Sequence, residues 1–206
     1  MPSAVGTGKW YGACERYLEL LYAFGDVTHQ IWDAGYYGVR TASRTARTDE
    51  VKTIDAAICG GSPSGVIQVD HGEVIRLASN LRQHLEPRSM QERMVAELEQ
   101  RTADGAAIAT WLDESRRRFD QLLARARRQR NAITHGTRTV PDVLTSVEPF
   151  LSRLAGLLIG SLHYCVVEDR DLIVELERWR LLRLKRREAL AAGGPPNLLV
   201  EWGSGE

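Results

Sequence analysis

Apolar side chains recur along most of this chain at intervals of three and four residues, the period of helices with one buried face. From Trp10 to Phe24 they include Tyr17, Leu18, Leu21, Tyr22 and Phe24, and from about Val27 to Val39 they include Ile31 and Trp32, which predicts a helical hairpin. Thr41 to Thr48 is polar and basic and reads as a loop or frayed end. Glu50 to Ile58 reads as a short helix stopped by Gly60-Gly61, with Ser62-Pro63-Ser64-Gly65 as a loop. Val66 to Val69 alternates weakly, as a strand does. Asp70 followed by Glu73 has the spacing of a capping box, however, and favours a helix from about His71 to Leu85.

After Pro87, Ser89 to Gln100 predicts a charged amphipathic helix, and Asp104 caps a longer one from about Gly105 to Ile133 that Gly136 ends. Pro141 to Val167 is the most apolar helix, with Val143, Leu144, Val147, Phe150, Leu151, Leu154, Leu157, Leu158 and Leu162, and reads as core or interface. Asp171 to Ala192 is a long charged helix broken by Gly193-Gly194-Pro195-Pro196. An apolar tail of Leu198, Leu199, Val200 and Trp202 follows, suited to docking. The expected class is all-α: a single helical domain over 1–192, then a Gly/Pro break and tail over 193–206.

Composition narrows this picture. The 206 residues, 43% hydrophobic, suffice for one sizeable core, and 27 basic side chains balance 27 acidic ones, so the chain as a whole is no generic polyanion binder. Cys14, Cys59 and Cys165 are odd in number and widely spaced, which argues against a disulfide framework and a zinc knuckle and favours a reducing, cytoplasmic setting. The longest apolar stretch, Leu154 to Leu162, is too short to span a bilayer, so no membrane partner is expected. His29, His71, His84 and His163 lack metal-ligand spacing, and neither metal nor cofactor is expected.

The balanced total hides one uneven stretch. Residues 116 to 130 hold seven arginines against one acid, Asp120. Some of Arg117, Arg118, Arg125 and Arg128 are candidates for phosphate contact; a solvated helix face is the plainer alternative. Arg178, Arg180, Arg183, Lys185, Arg186 and Arg187 form a second cluster, better suited to an amphipathic helix covering the bundle. The first cluster ends in Arg130-Asn131-Ala132-Ile133-Thr134-His135-Gly136. Arginine grips phosphate through a planar, permanently charged fork, and histidine exchanges a proton near neutrality, so together they supply the means to cut RNA without a metal. On an unbroken helix residues five apart diverge by roughly 140°. Arg130 and His135 therefore need a helix break, or a second subunit bringing two arginines and two histidines into one cleft. An ordinary helix ending, cations followed by a left-handed glycine, accounts for the same residues.

This arrangement of Arg, Asn, three residues and His-Gly, between a basic helix and a long apolar one, resembles the HEPN superfamily, and its RNAITHG form is most similar to the Apea-like branch. The resemblance covers about Leu112 to Val167, within a motif-bearing core of about 104–167. It implies a helical bundle with long antiparallel helices, typically a homodimer, and in many members a metal-independent endoribonuclease. By that resemblance, His135 assists proton transfer, Arg130 stabilises phosphate charge and Asn131 positions phosphate or ribose. It implies too a defence or toxin-type setting, with a cognate antitoxin or nucleotidyltransferase as a possible partner. Catalytically inactive RNA-binding or dimerisation modules share the same shape.

Other signals carry less. Gly6-Thr7-Gly8-Lys9 lacks the spacing, the Ser or Thr and the preceding strand of a phosphate loop. Gly156 and Gly160 fit tight packing within the bundle or a dimer seam, and Trp111, Phe119 and Trp179 read as core or interface aromatics, not base-stacking platforms.

Overall fold

The structure is a computed structural model, described over residues 10–60, 68–136 and 141–200, leaving aside the side chains of residues 10 and 141–144. These residues form no strand. They form seven α-helices, α1 (Trp10–Thr45), α2 (Asp49–Ile58), α3 (His71–Gln83), α4 (Met90–Arg101), α5 (Gly105–Thr134), α6 (Pro141–Val167) and α7 (Leu172–Ala191), and a 3-10 turn at Pro196–Leu199. The chain is all-α, as its periodicity indicates.

Capping chemistry sets most of the boundaries. Thr48, Asp70, Ser89 and Asp104 each accept a hydrogen bond from a backbone N–H of the first helical turn, at 3.3, 3.0, 3.1 and 2.8 Å. Asp171 accepts two, from Ile173 and Val174, both at 2.9 Å. The expected hairpin near the N-terminus is instead one 36-residue helix, and Thr41 to Thr45, expected as loop, is its last turn. A glycine inside a helix costs about 1 kcal/mol, and the complete burial of Val27 and Ile31 just beyond Gly25 outweighs that cost. The Gly6–Lys9 stretch, Gly61 to Ile67 and Trp202 lie outside the described residues.

The chain gathers into two compact units, Met1–Phe24 with Asp113–Lys185, and Gly25–Leu112 with Arg186–Glu206. The first is built from the beginning of α1, most of α5, α6 and most of α7. Its core is a ring triad: Tyr22, Phe119 and Phe150 meet at centroid distances of 5.4, 5.5 and 5.6 Å in tilted and edge-on geometry. Leu18, Leu123, Leu154 and Leu176 close around it. At its margin Arg116 forks onto Glu19 at 3.0 and 3.1 Å, and Glu177 accepts from both Arg16 and Arg180 at 3.3 and 2.8 Å.

Only 22% of the apolar stretch of α6 from Thr145 to Val167 is buried. The nine-residue run noted in the sequence belongs to this longer segment, whose mean hydropathy of 1.5 and length suffice to cross a membrane. Leu151, Leu158, Ile159, Leu162 and Val166 are exposed, and a Cβ added at Gly156 or Gly160 meets nothing within 4 Å. Among the described residues the glycines thus do not serve tight packing.

In the second unit α3 packs on α1 through glycines: a Cβ at Gly35 would overlap Val74, and one at Gly38 would come within 2.9 Å of Leu81 Cδ2. Gly105 likewise starts α5 against the backbone carbonyls of Leu190 and Gly194. The C-terminal tail docks in this unit, with Leu199 buried and Val200 near Gly72 of α3.

Candidate functional site

The face of α5 that builds the core carries Ser115, Phe119, Leu123 and Ala126, all buried. From Arg127 onward no residue of the helix is buried, so its last two turns stand clear of the core. Arg117, Arg118, Arg125 and Arg128 are exposed and fall within about 100° of arc on the side opposite the core. His135, eighteen residues beyond Arg117, completes about five helical turns and returns to the same line. The basic stripe and the histidine therefore share one exposed face.

Arg130 does not lie on that face. The helix holds its hydrogen bonding through the motif: Thr134 Oγ1 donates to the Arg130 carbonyl at 2.8 Å, and the His135 N–H donates to the Asn131 carbonyl at 3.0 Å. The break comes after His135, where Gly136 takes φ of +67° and donates to Ile133 O at 3.2 Å. Arg130 and His135 are both exposed, on one continuous helix and separated by about 140° around it. The structure does not bring them together within one chain. Asn131 accepts from Arg130 Nη1 at 3.3 Å through Oδ1, so its amide N–H groups remain available as donors.

The arginines differ in their commitments. Arg116 is tied to Glu19, and Arg127 lies over the Tyr11 ring at 5.1 Å, so both serve packing. Arg117 reaches the Asp113 carbonyl at 3.4 Å, and Arg125 the Ser146 hydroxyl at 3.3 Å. Neither contact neutralises a charge. Among the described residues Arg128 pairs with no carboxylate. In the second basic cluster Arg178 and Arg180 pair within α7 with Glu175 and Glu177, and Arg183 reaches α1, lying over Phe24 at 6.0 Å.

No rival chemistry gathers elsewhere among the described residues. His29 faces Asp33 at 3.6 Å and His84 faces Glu50 at 3.4 Å. Desolvation lowers the pKa of His71, against the raising effects of Asp70 and a hydrogen bond to the Thr28 backbone. Burial, with nearby Asp55, pushes the Cys59 thiol up to about 11, and burial raises Cys14 and Cys165 too, which makes all three poor nucleophiles at neutral pH. No three His, Cys, Asp or Glu side chains converge among the described residues. A hollow of about 310 Å³ lined by Ser79, Arg82, Leu85, Glu92 and Glu99 shares nothing with the motif, and Arg82 is ion-paired there at 2.7 and 3.3 Å.

Trp111 and Phe119 are buried and Trp179 is packed against Tyr164, 5.4 Å away. A further aromatic group lies at the surface of α1, where half-buried Trp32 and Tyr36 pack beside exposed Tyr37. Their signal was a spacing of four residues, followed by Arg40, Arg44 and Arg47 with no acid between 34 and 48. Compared with protein-family models, curated proteins and solved structures, the chain matches none of them.

Proposed function

We propose that this chain is a HEPN-like, metal-independent endoribonuclease that works as a homodimer. The observation that carries the reading is the end of α5, where exposed Arg130 and His135 and a half-buried Asn131 adjoin an exposed face of arginines. In the reaction the ribose 2′-oxygen attacks phosphorus as its proton passes to a base, and the bond to the 5′-oxygen breaks as that oxygen takes a proton. The products are a 2′,3′-cyclic phosphate and a 5′-hydroxyl. His135 serves one of the proton transfers, Arg130 stabilises the phosphorane charge, and the Asn131 amide orients phosphate or ribose. Arg117, Arg118, Arg125 and Arg128 hold the flanking backbone.

Because Arg130 and His135 diverge on one helix, the second copy is part of the mechanism and not an addition to it. The bare side of α6 supports such pairing: Leu151, Ala155, Leu158 and Leu162 follow the four-three-four spacing of a helix seam, and Leu158 is 39% and Leu162 51% exposed. Leu158→Glu is expected to yield a monomer by light scattering and to abolish cleavage.

The direct test incubates purified protein with structured and unstructured RNA, and with DNA, in excess chelator. Wild type is expected to cut RNA alone, with His135→Ala and Arg130→Ala slower by about 10²-fold or more. Equal cleavage by all three proteins would sink the mechanism. The same geometry favours a second reading, a silent RNA-binding or dimerisation module, since a monomer has no convergent site; its mark is RNA binding without cleavage by any form.

A further inference from the structure

One face of α1 departs from what a solvated helix normally presents. His29, Trp32 and Tyr36 stack in series, with centroids 6.4 and 4.7 Å apart and ring planes within 10° and 20° of parallel. Arg40 caps the series 5.4 Å above Tyr36. Tyr37 stands across it, 5.3 Å from Tyr36 and 6.3 Å from Trp32 at 72° and 90°, and is 49% exposed. A single exposed aromatic needs no explanation. A ladder of three, stiffened by mutual contact and ending in a guanidinium, does.

The charge beside it points to the occupant. Arg44 lies one turn beyond Arg40 on the same face, and Arg47 follows the helix end; both are exposed and, among the described residues, neither pairs with a carboxylate. No acid occurs between Ala34 and Thr48. The neighbouring carboxylates are engaged elsewhere, Asp33 with His29 at 3.6 Å and Asp55 with the Ser43 hydroxyl at 3.4 Å. A protein-binding aromatic patch has no need of an edge of arginines left without carboxylates, whereas a single strand of RNA needs both elements: a π-face for an unstacked base and cations for its backbone. We infer that this face of α1 is a second contact surface for single-stranded RNA, with Tyr37 as the ring offered to a base, Trp32 and Tyr36 as its support, and Arg40, Arg44 and Arg47 along the phosphates.

The inference rests on the RNA reading given above, and it assigns this surface to holding the strand, not cutting it. Binding is therefore measured with a fluorescent 2′-O-methyl oligouridine, which has no free 2′-hydroxyl and cannot be cut by the proposed chemistry. Wild type is expected to bind it more tightly than a base-paired hairpin of equal length. Tyr37→Ala should weaken binding by about 5- to 150-fold, with Tyr37→Trp retaining it. Arg44→Ala with Arg47→Ala should lower the slope of log affinity against log salt by about 1.4, roughly 0.7 for each lost phosphate contact on a single strand. Circular dichroism and urea unfolding check that each variant is folded. No binding by wild type, wild-type binding by both variants, or equal affinity for the hairpin overturns the inference. So does a change in self-association by Tyr37→Ala with RNA binding intact, which would give the face to a protein partner. Wild type that cleaves ordinary RNA but does not bind the oligouridine removes this surface alone; wild type that binds it but does not cleave ordinary RNA removes the nuclease reading alone.

Discussion

If each site takes Arg130 from one chain and His135 from the other, two inactive variants become partly active when mixed. On α5 the two positions differ by about 140° around the axis and about 7.5 Å along it, so the extended side-chain tips stand roughly 15 Å apart. Groups acting on one phosphodiester must each come within about 3 Å of it, so their own separation is roughly 6 Å. No rotamer change closes that gap on a helix hydrogen-bonded through His135. Arg130→Ala and His135→Ala proteins, mixed equally and refolded together, should pair at random. About half the dimers are then hybrids, each with one intact and one doubly altered site, and the mixture should recover about one quarter of the wild-type rate. Cleavage of a quenched fluorescent RNA in chelator reads the rate, and differential tags on the two variants measure the hybrid fraction. Hybrids that form but cut no faster than either variant alone refute cross-chain pairing. Full activity in either variant alone refutes the site itself.

Three predictions concern the scaffold. Phe119→Ala empties the centre of the ring triad at a residue with no exposed surface, and urea unfolding should record a loss of about 3–5 kcal/mol; a loss below 1 kcal/mol would mean the triad is not the core of its unit. Gly136→Ala meets no steric neighbour but forces a side chain onto φ of +67°, so it should cost about 1 kcal/mol, with Gly136→Asn milder. Hydrogen bonds from Arg180, then from Arg16, hold the Glu177 carboxyl down to about 2, against the desolvation that raises it. A depressed carboxylate stabilises the fold above its unfolded pKa, near 4.5, and that contribution disappears as pH falls from there toward 2. The urea midpoint of wild type should therefore drop more steeply than that of Glu177→Gln between pH 5 and pH 2.5, and parallel curves would remove the clamp from the account.

The sequence was most informative where local chemistry decides. Thr48, Asp70, Ser89, Asp104 and Asp171 stand at helix starts because a short oxygen-bearing side chain satisfies backbone N–H groups that a helix leaves unpaired, and all five starts fall within one residue of where the pattern puts them. It misled at Gly25-Asp26. There the local signal for a turn was real, but tertiary burial of Val27 and Ile31 outweighed it, and burial is not written in any short window. At the candidate site the sequence supplied the 140° divergence and the need for a break or a partner. What it could not supply was the position of the break, which depends on whether the last N–H groups keep their helical acceptors. They do, as far as His135, and that moves the whole weight of the proposed chemistry onto a second copy.

The α6 helix makes the same point from the side of packing. Its sequence is apolar nearly all round, a pattern that by itself indicates a helix enclosed by protein or lipid. Periodicity identifies which residues share a face; it does not identify what covers the face. Val147, Phe150, Leu154 and Cys165 face the core, while Leu151, Leu158, Ile159, Leu162 and Val166 are left to solvent. Exposed apolar side chains at seam spacing are costly in an isolated chain and favourable in a paired one. The bare α6 face and, under the proposed chemistry, the divergence of Arg130 and His135 on α5 are thus independent deficits, one of burial and one of geometry. A single two-fold pairing that covers the first and completes the second is the most economical way for one sequence to resolve both.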